Sequence, residues 1–84
     1  MKTIGLLGGM SWESTAIYYR VLNEEMKKTA GGRHSAKIIL NSVDFEPIEQ
    51  MMKVSDFDNI VGILIEKAQS VERAGADFLL ICTN

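Results

Sequence analysis

The feature that most constrains the fold is the alternation of three short apolar runs with segments of helical periodicity. The apolar runs lie at residues 2–7, 36–41 and 77–82, and each has the length of a buried strand. Strands that alternate with helices are typical of α/β proteins, in which right-handed crossovers connect parallel strands. The order of the elements therefore predicts β-α-β-α-α-β, a parallel sheet with flanking helices.

The first helical segment follows the first apolar run. Ser11 is a suitable N-cap residue, and Glu13 places an acidic group in the first turn, where the helix dipole favours it. Gly31 and Gly32 are expected to end this helix. The apolar residues that keep its helical period are Ile17, Val21, Leu22 and Met26.

Two further helices are predicted between the second and third runs. Pro47 suits the first turn of a short helix, because its fixed φ and missing N–H are tolerated there. Asp56 or Asp58 caps the longer helix, and Gly75 ends it. One face of the longer helix carries Ile60, Ile63, Leu64, Lys67 and Val71.

The length of 84 residues allows one small domain at most. Parallel strands need helices on both faces of their sheet, and three strands are few for a sheet of this kind. Residues 1–84 are therefore predicted to be the N-terminal part of a first α/β domain, and a second domain is absent from this chain.

Charge and cysteine content bear on the possible partners. The net charge of −2 gives no electrostatic basis for binding nucleic acid or an anionic membrane. No apolar run approaches the roughly 20 residues of a membrane helix. The single cysteine cannot form an internal disulfide, which favours a reducing, cytoplasmic setting. The only histidine, His34, precedes the second strand and so lies opposite the candidate sites, and no metal site is expected.

The first candidate site is the glycine-rich turn Gly8-Gly9-Met10-Ser11 between the first strand and the first helix. Glycines let the backbone approach a ligand closely, and N–H groups at a helix N-terminus attract anions. The glycine spacing does not match a nucleotide-binding fingerprint. A carboxylate or phosphate site and a turn without a ligand both fit these residues.

The second candidate site is Cys82-Thr83-Asn84 at the end of the third run. In open α/β sheets, ligands bind outside the carboxyl ends of the strands. A thiolate there could act on a ligand, and Thr83 and Asn84 could hydrogen-bond to it. A buried structural cysteine is the more common role for such a residue. The position at a strand end keeps the chemical role open.

Three acidic residues, Asp44, Glu46 and Glu49, follow the second strand on the same side of the sheet as Cys82. They could bind the ammonium group of a substrate. Capping and solvent-facing roles are favoured for them, because charges at this density are common on an exposed helix.

Several segments of the chain form a recognisable set of motifs. They are residues 5–15 (GLLGGMSWEST), Tyr18, Tyr19, Asn23, residues 42–45 (SVDF), residues 73–77 (RAGAD) and residues 82–84 (CTN). Together these segments resemble the aspartate/glutamate racemase family, and within it the branch of broad-specificity amino-acid racemases. The resemblance extends over all 84 residues, and the two stretches at the strand tips, GGMSWEST and CTN, make it specific.

The resemblance implies a cofactor-independent racemase with two pseudo-symmetric α/β domains, each of which supplies one catalytic cysteine. One thiolate removes the α-proton of the amino acid, and the opposite thiol protonates the other face. Cys82 corresponds to the first cysteine of this pair. Substrate-binding positions implied by the motifs are Gly9, Met10, Ser11, Thr83 and Asn84. A small amino acid is the implied substrate, with further contacts near residues 50–52 and a homodimeric full-length form.

The chain departs from the family pattern in length, since family members are more than twice as long and the second cysteine belongs to the second domain. The 84 residues alone are therefore expected to be inactive. A non-catalytic binding or scaffold fragment is the alternative, and a cysteine hydrolase or thiol-dependent lyase is a third, less favoured one.

Overall fold

The computed structural model describes residues 1–83. It consists of a three-stranded parallel sheet in the order β2-β1-β3 and three helices, in the predicted sequence β-α-β-α-α-β. The elements are β1 (Ile4–Gly8), α1 (Trp12–Ala30), β2 (Ile38–Ser42), α2 (Phe45–Lys53), α3 (Phe57–Arg73) and β3 (Phe78–Ile81).

Strand β1 is the centre of the sheet. It pairs in parallel with β2 from Ile4 opposite Ile38, and with β3 from Ile4 opposite Phe78. Because both of its edges are paired, β1 is the most buried strand, and Leu6 and Leu7 have almost no exposed surface. This burial explains why the first run is apolar without alternation.

Helix α3 lies on one face of the sheet and packs against the central strand. A Cβ on Gly5 would lie 2.5 Å from Cγ1 of Val71, so the absence of a side chain at Gly5 lets α3 approach β1. Leu7, on the same face, joins Val43 and Ile48 in a buried cluster. Half-buried apolar residues packed on this cluster are Met10, Phe45, Ile60, Ile63 and Leu64.

The N-terminal turn of helix α1 packs against the opposite face at Gly8. A Cβ on Gly8 would lie 2.5 Å from Cγ2 of Thr15, and Thr15 is only 5% exposed. Two of the four apolar residues that keep the helical period of α1, Ile17 and Val21, are 51% and 42% exposed. At 100° per residue, both side chains lie about 100° or more around the helix from Thr15, Leu22 and Met26. Thr15 is buried, and Leu22 and Met26 are half-buried.

The predicted helix ends agree with the structure. Helix α1 ends at Gly31, which has φ 72° and donates its N–H to the carbonyl of Lys27. Asp44 caps α2, with Oδ1 accepting from the N–H of Glu46 at 3.3 Å. Asp56 occupies the N-cap position of α3. Gly31 therefore marks the end of α1 and the Asp44 side chain caps α2, whereas the side chain of Asp56 makes no cap hydrogen bond and α2 ends at Val54 without a glycine.

The strands begin and end at slightly different residues from those predicted, and one difference concerns the candidate site. Strand β3 ends at Ile81, so Cys82 lies just beyond the strand and not within it. The last hydrogen bond between β1 and β3 runs from the N–H of Cys82 to the carbonyl of Leu7, at 2.9 Å. Beyond it, β1 turns away at Gly9, which has φ 94°, and the pairing stops.

Candidate active site at the carboxyl edge of the sheet

The two sequence motifs that end strands β1 and β3 meet at the carboxyl edge of the sheet. Leu7 pairs with Ile81, so the next residues, Gly8 and Cys82, stand side by side. Cys82 also donates its N–H to Leu7. The parallel pairing therefore brings the glycine-rich turn next to the only thiol of the chain.

Cys82 is completely buried. Burial removes the thiol from water and raises its pKa above the usual range, because the charged thiolate is disfavoured in a desolvated position. The thiol is therefore protonated at neutral pH. By the alternation of side chains along a strand, Cys82 lies on the sheet face opposite Leu7 and Ile81, the face that helix α1 covers at Gly8.

The glycine-rich turn is held tightly by the rest of the chain. Gly9 has φ 94°, and a Cβ there would lie 2.1 Å from the carbonyl oxygen and 2.5 Å from the nitrogen of Val43. The N–H of Val43 donates to the carbonyl of Gly8 at 2.8 Å. Only glycine fits at position 9, since any side chain would separate the loops that follow β1 and β2.

Thr15 closes the glycine-rich turn from the side of helix α1. Its Oγ1 accepts the N–H of Gly9 at 3.1 Å and donates to the carbonyl of Ser11 at 3.1 Å. The N–H of Gly9 is thus already bonded within the protein. Sequence reasoning assigned no role to Thr15, although a hydroxyl four residues after an N-cap can bond back to that residue's carbonyl.

The remaining predicted substrate-binding residues lie around this edge. Met10 is half-buried and packs on the cluster of Leu7, Val43 and Ile48. Ser11 occupies the N-cap position of α1, and its hydroxyl bonds to that of Ser14 at 3.0 Å. Thr83 is exposed.

Asn84, also predicted to bind substrate, lies outside the described residues. The contacts of Gly9, Met10, Ser11 and Thr83 with a substrate stay predictions.

The three acidic residues after β2 have local partners that fit the favoured interpretation. Asp44 caps α2, and Glu46 accepts a hydrogen bond from the amide of Gln50 at 3.0 Å. Glu49 lies 3.4 Å from the ammonium group of Lys53. These carboxylates therefore stabilise helix α2 locally, each by a few tenths of a kcal/mol.

His34 lies in the loop between α1 and β2, at the opposite edge of the sheet from Cys82, where its N–H donates to the carbonyl of Gly31. Within residues 1–83, no three His, Cys, Asp or Glu side chains are grouped so that they could hold a metal ion. None of the helices in that part of the chain is both long and apolar enough to cross a membrane.

The fold and the edge that carries Gly9 and Cys82 define an α/β protein with a thiol at the carboxyl end of its third strand. A sequence profile of the family described as Asp/Glu/Hydantoin racemase matches residues 7–84. The chain therefore belongs to the Asp/Glu/hydantoin racemase family.

A solved structure gives a second comparison. The chain is 51% identical to a Yersinia pestis protein whose crystal structure is provisionally assigned as an Asp/Glu racemase, with a TM-score of 0.96. The match covers 100% of this chain and 36% of the Yersinia pestis chain, so the chain spans about a third of that protein's length. The likeness confirms the predicted fold as a portion of a racemase fold.

Proposed function

We propose that this chain supplies one of two catalytic cysteines to a racemase that inverts amino acids without pyridoxal phosphate or another cofactor. The observation that carries the proposal is the position of Cys82. The thiol stands beside the glycine-rich turn, at the sheet edge where α/β proteins bind ligands, in a chain of the Asp/Glu/hydantoin racemase family.

The proposed chemistry requires two proton-transfer groups, one on each face of the substrate. An amino-acid α-proton is a very weak acid, so a base and an acid must be positioned together. One thiolate takes the α-proton and becomes a thiol, while the opposite thiol gives its proton to the other face and becomes a thiolate. The raised pKa of Cys82 leaves it protonated at rest, which suits the proton-donating role first.

The second thiol must come from outside residues 1–84, because this chain contains one cysteine. We assign it to a second α/β domain, related to the first by pseudo-symmetry. This arrangement places the substrate between the two domains and accounts for inversion, since one group reaches each face of the α-carbon.

Substrate binding is proposed for the residues around the thiol. The N-terminus of α1 begins directly after Ser11, and the partial positive charge there favours a substrate carboxylate. The N–H of Gly9 already bonds to Thr15, so Gly9 contributes by letting the turn pack against Val43 and not as a donor. Met10 and Ser11 are the loop positions proposed to face the substrate, together with Thr83 and Asn84.

A second candidate function is favoured by one observation, the complete burial of Cys82. A thiol with no exposed surface and a raised pKa is also what a purely structural cysteine would show. In that case the chain is a non-catalytic binding or scaffold element. The racemase proposal instead requires that the groups covering the thiol move aside when substrate binds.

The deciding experiment is α-proton exchange in heavy water, followed by NMR, on a panel of L- and D-amino acids. The 84-residue chain is compared with the longest natural form of the same protein. We expect exchange with racemisation in the longer form only. Cys82→Ser should lower the rate about 10²–10⁴-fold, the range for loss of one acid–base group.

Ser35→Ala is the matched control, since it removes a small polar group at the opposite edge of the sheet. It should leave the rate unchanged. Absence of exchange by the longest form with every amino acid would overturn the racemase proposal and favour the structural thiol. An equal loss of the exchange rate in Cys82→Ser and Ser35→Ala would show that both variants fail to fold, which would remove the support for a catalytic role of Cys82.

We further propose a cytoplasmic homodimer for the longest form. Three apolar side chains of helix α3 are exposed, those of Phe57, Val61 and Ile65, and they support a surface for a second subunit. The single cysteine fits a reducing compartment. Sedimentation of the preparation used for the exchange assay tests the dimer, and a monomer at assay concentration would contradict it.

A further inference from the structure

We propose that Thr15 is a positioning residue that fixes the glycine-rich turn relative to Cys82. The inference rests on the proposed racemase function for its effect on substrate, but its structural part can be tested without any activity. Thr15 acts through the turn that lies beside the thiol.

The hydrogen bonds of Thr15 span the turn from end to end. Oγ1 accepts from the N–H of Gly9 and donates to the carbonyl of Ser11, both at 3.1 Å. The N–H of Thr15 also donates to the Ser11 carbonyl, at 3.0 Å. A single buried side chain therefore ties the second residue of the turn, Gly9, to its last residue, Ser11, at the N-cap position of α1.

Steric contacts restrict the turn further. The space in front of Gly8 is filled by Thr15, with Cγ2 and Oγ1 at 2.5 and 2.7 Å from where a Cβ would stand. On the other side, the backbone of Val43 lies against Gly9. Thr15 at Gly8 and Val43 at Gly9 therefore both restrict where the turn can lie.

The position of the turn matters because Gly8 stands beside Cys82. The pairing of Leu7 with Ile81 and the hydrogen bond from Cys82 to Leu7 set that neighbourhood. Any displacement of Gly8 and Gly9 changes the distance between the thiol and the loop proposed to hold the substrate carboxylate. Catalysis is sensitive to such displacements, since an error of about 1 Å can cost about 10²-fold.

Two substitutions separate the effect of the Thr15 hydroxyl group from the effect of the side-chain volume. Thr15→Val keeps the shape and removes both side-chain hydrogen bonds, whereas Thr15→Ser keeps the hydrogen bonds and removes the methyl group. Thr29→Val is the control on the same helix, because Thr29 also bonds back to a carbonyl, that of Glu25 at 3.0 Å, but is exposed and distant from the turn.

The test measures KM and kcat for racemisation by the longest natural form. Thr15→Val should raise KM about tenfold with a smaller change in kcat, since the loop that holds the substrate is displaced in the ground state as well. Thr15→Ser should restore KM to within about threefold of the wild type. Thr29→Val should leave both constants unchanged. A lowered melting temperature in Thr15→Val with unchanged KM would overturn the inference, because it would show a merely structural role.

Hydrogen exchange of the Gly9 amide separates this inference from the proposed function. In Thr15→Val the Gly9 amide should exchange at least about tenfold faster than in the wild type, because its acceptor is gone. Faster exchange in a protein whose wild type racemises nothing would support the positioning of the turn and overturn the racemase proposal. Unchanged Gly9 exchange would overturn the positioning role itself, whatever the activity.

Discussion

The two edges of the sheet carry residues from the same set of family motifs but use them differently. At the amino edge, the motif residues bond to backbone groups of neighbouring segments and join them. At the carboxyl edge, Gly8, Gly9 and Thr15 hold one another next to the Cys82 thiol. The comparison teaches that a residue's place in a family motif does not by itself make it a site residue.

The amino edge shows how completely the fold can account for a motif. Asp77 accepts the N–H of Thr3 at 2.7 Å through Oδ2, and its own N–H donates to the carbonyl of Thr3 at 2.8 Å. Asn23 accepts the N–H of Ala36 at 2.9 Å and donates to the carbonyl of Tyr19. These side chains fix the starts of β3, β1 and β2.

The largest expected effect contrasts a glycine at each edge. Gly9 and Gly75 both have positive φ, 94° and 109°, but a Cβ on Gly9 would strike Val43, whereas nothing lies within 4 Å of one on Gly75. Gly9→Ala should therefore destabilise the fold by about 4 kcal/mol or more, and Gly75→Ala by only about 1–2 kcal/mol. Denaturant unfolding of the longest natural form measures both. Equal losses of unfolding free energy in the two variants would contradict the distinction between the tightly packed turn at Gly9 and the open turn at Gly75.

The next effect concerns the hydrogen bond between Asp77 and Thr3 at the amino edge. Asp77→Ala should cost about 1 kcal/mol of unfolding free energy, because it removes an exposed charge-assisted hydrogen bond to Thr3. The rate of α-proton exchange under conditions where the protein stays folded should not change. A loss of exchange in the folded Asp77→Ala variant would mean that the amino edge contributes to the site.

The third effect concerns the pH dependence of the unfolding free energy and belongs to the carboxyl edge. The buried thiol of Cys82 has a pKa above its usual range, so the unfolded chain loses this proton at a lower pH than the folded chain. The stability that the thiol contributes is fully present below about pH 8.5 and falls as the pH rises toward the folded pKa, by at most about 1.4 kcal/mol per pH unit.

Denaturant unfolding between about pH 7.5 and 9.5 gives the corresponding measurement. Cys82→Ser should show a flatter dependence over this range, since the serine hydroxyl does not titrate there. Identical pH dependence in the wild type and in Cys82→Ser would contradict the raised pKa.

Fold class, element order and helix ends could be predicted from the sequence because local rules determine them. The apolar runs indicated strands, Gly31 indicated the end of α1, and the capping role favoured for Asp44 is confirmed at α2. Asp56 stands at the N-cap position of α3, but its side chain makes no cap hydrogen bond. Family motifs then agreed with the profile match and with the similar structure.

Packing between elements was less accessible to sequence reasoning. Ile17 and Val21 kept a helical period but lie on a side of α1 that the described residues leave exposed. The role of Thr15 depends on Gly8 and Gly9, which only the fold brings into contact with its side chain. The end of β3 before Cys82 depends on where β1 turns away, which no feature of the third run indicates.

The central place of β1 has a consequence for how the chain folds. Ile4 near the start of the chain must pair with Ile38 and again with Phe78, so no strand pairing is local in sequence. Such topologies fold slowly, because long loops must close before the contacts stabilise them. During synthesis β1 is made before both of its partner strands, so its edges stay unpaired until β2 and β3 follow. The apolar segment of β1 is therefore the part of this chain that is most exposed to non-native contacts before folding is complete.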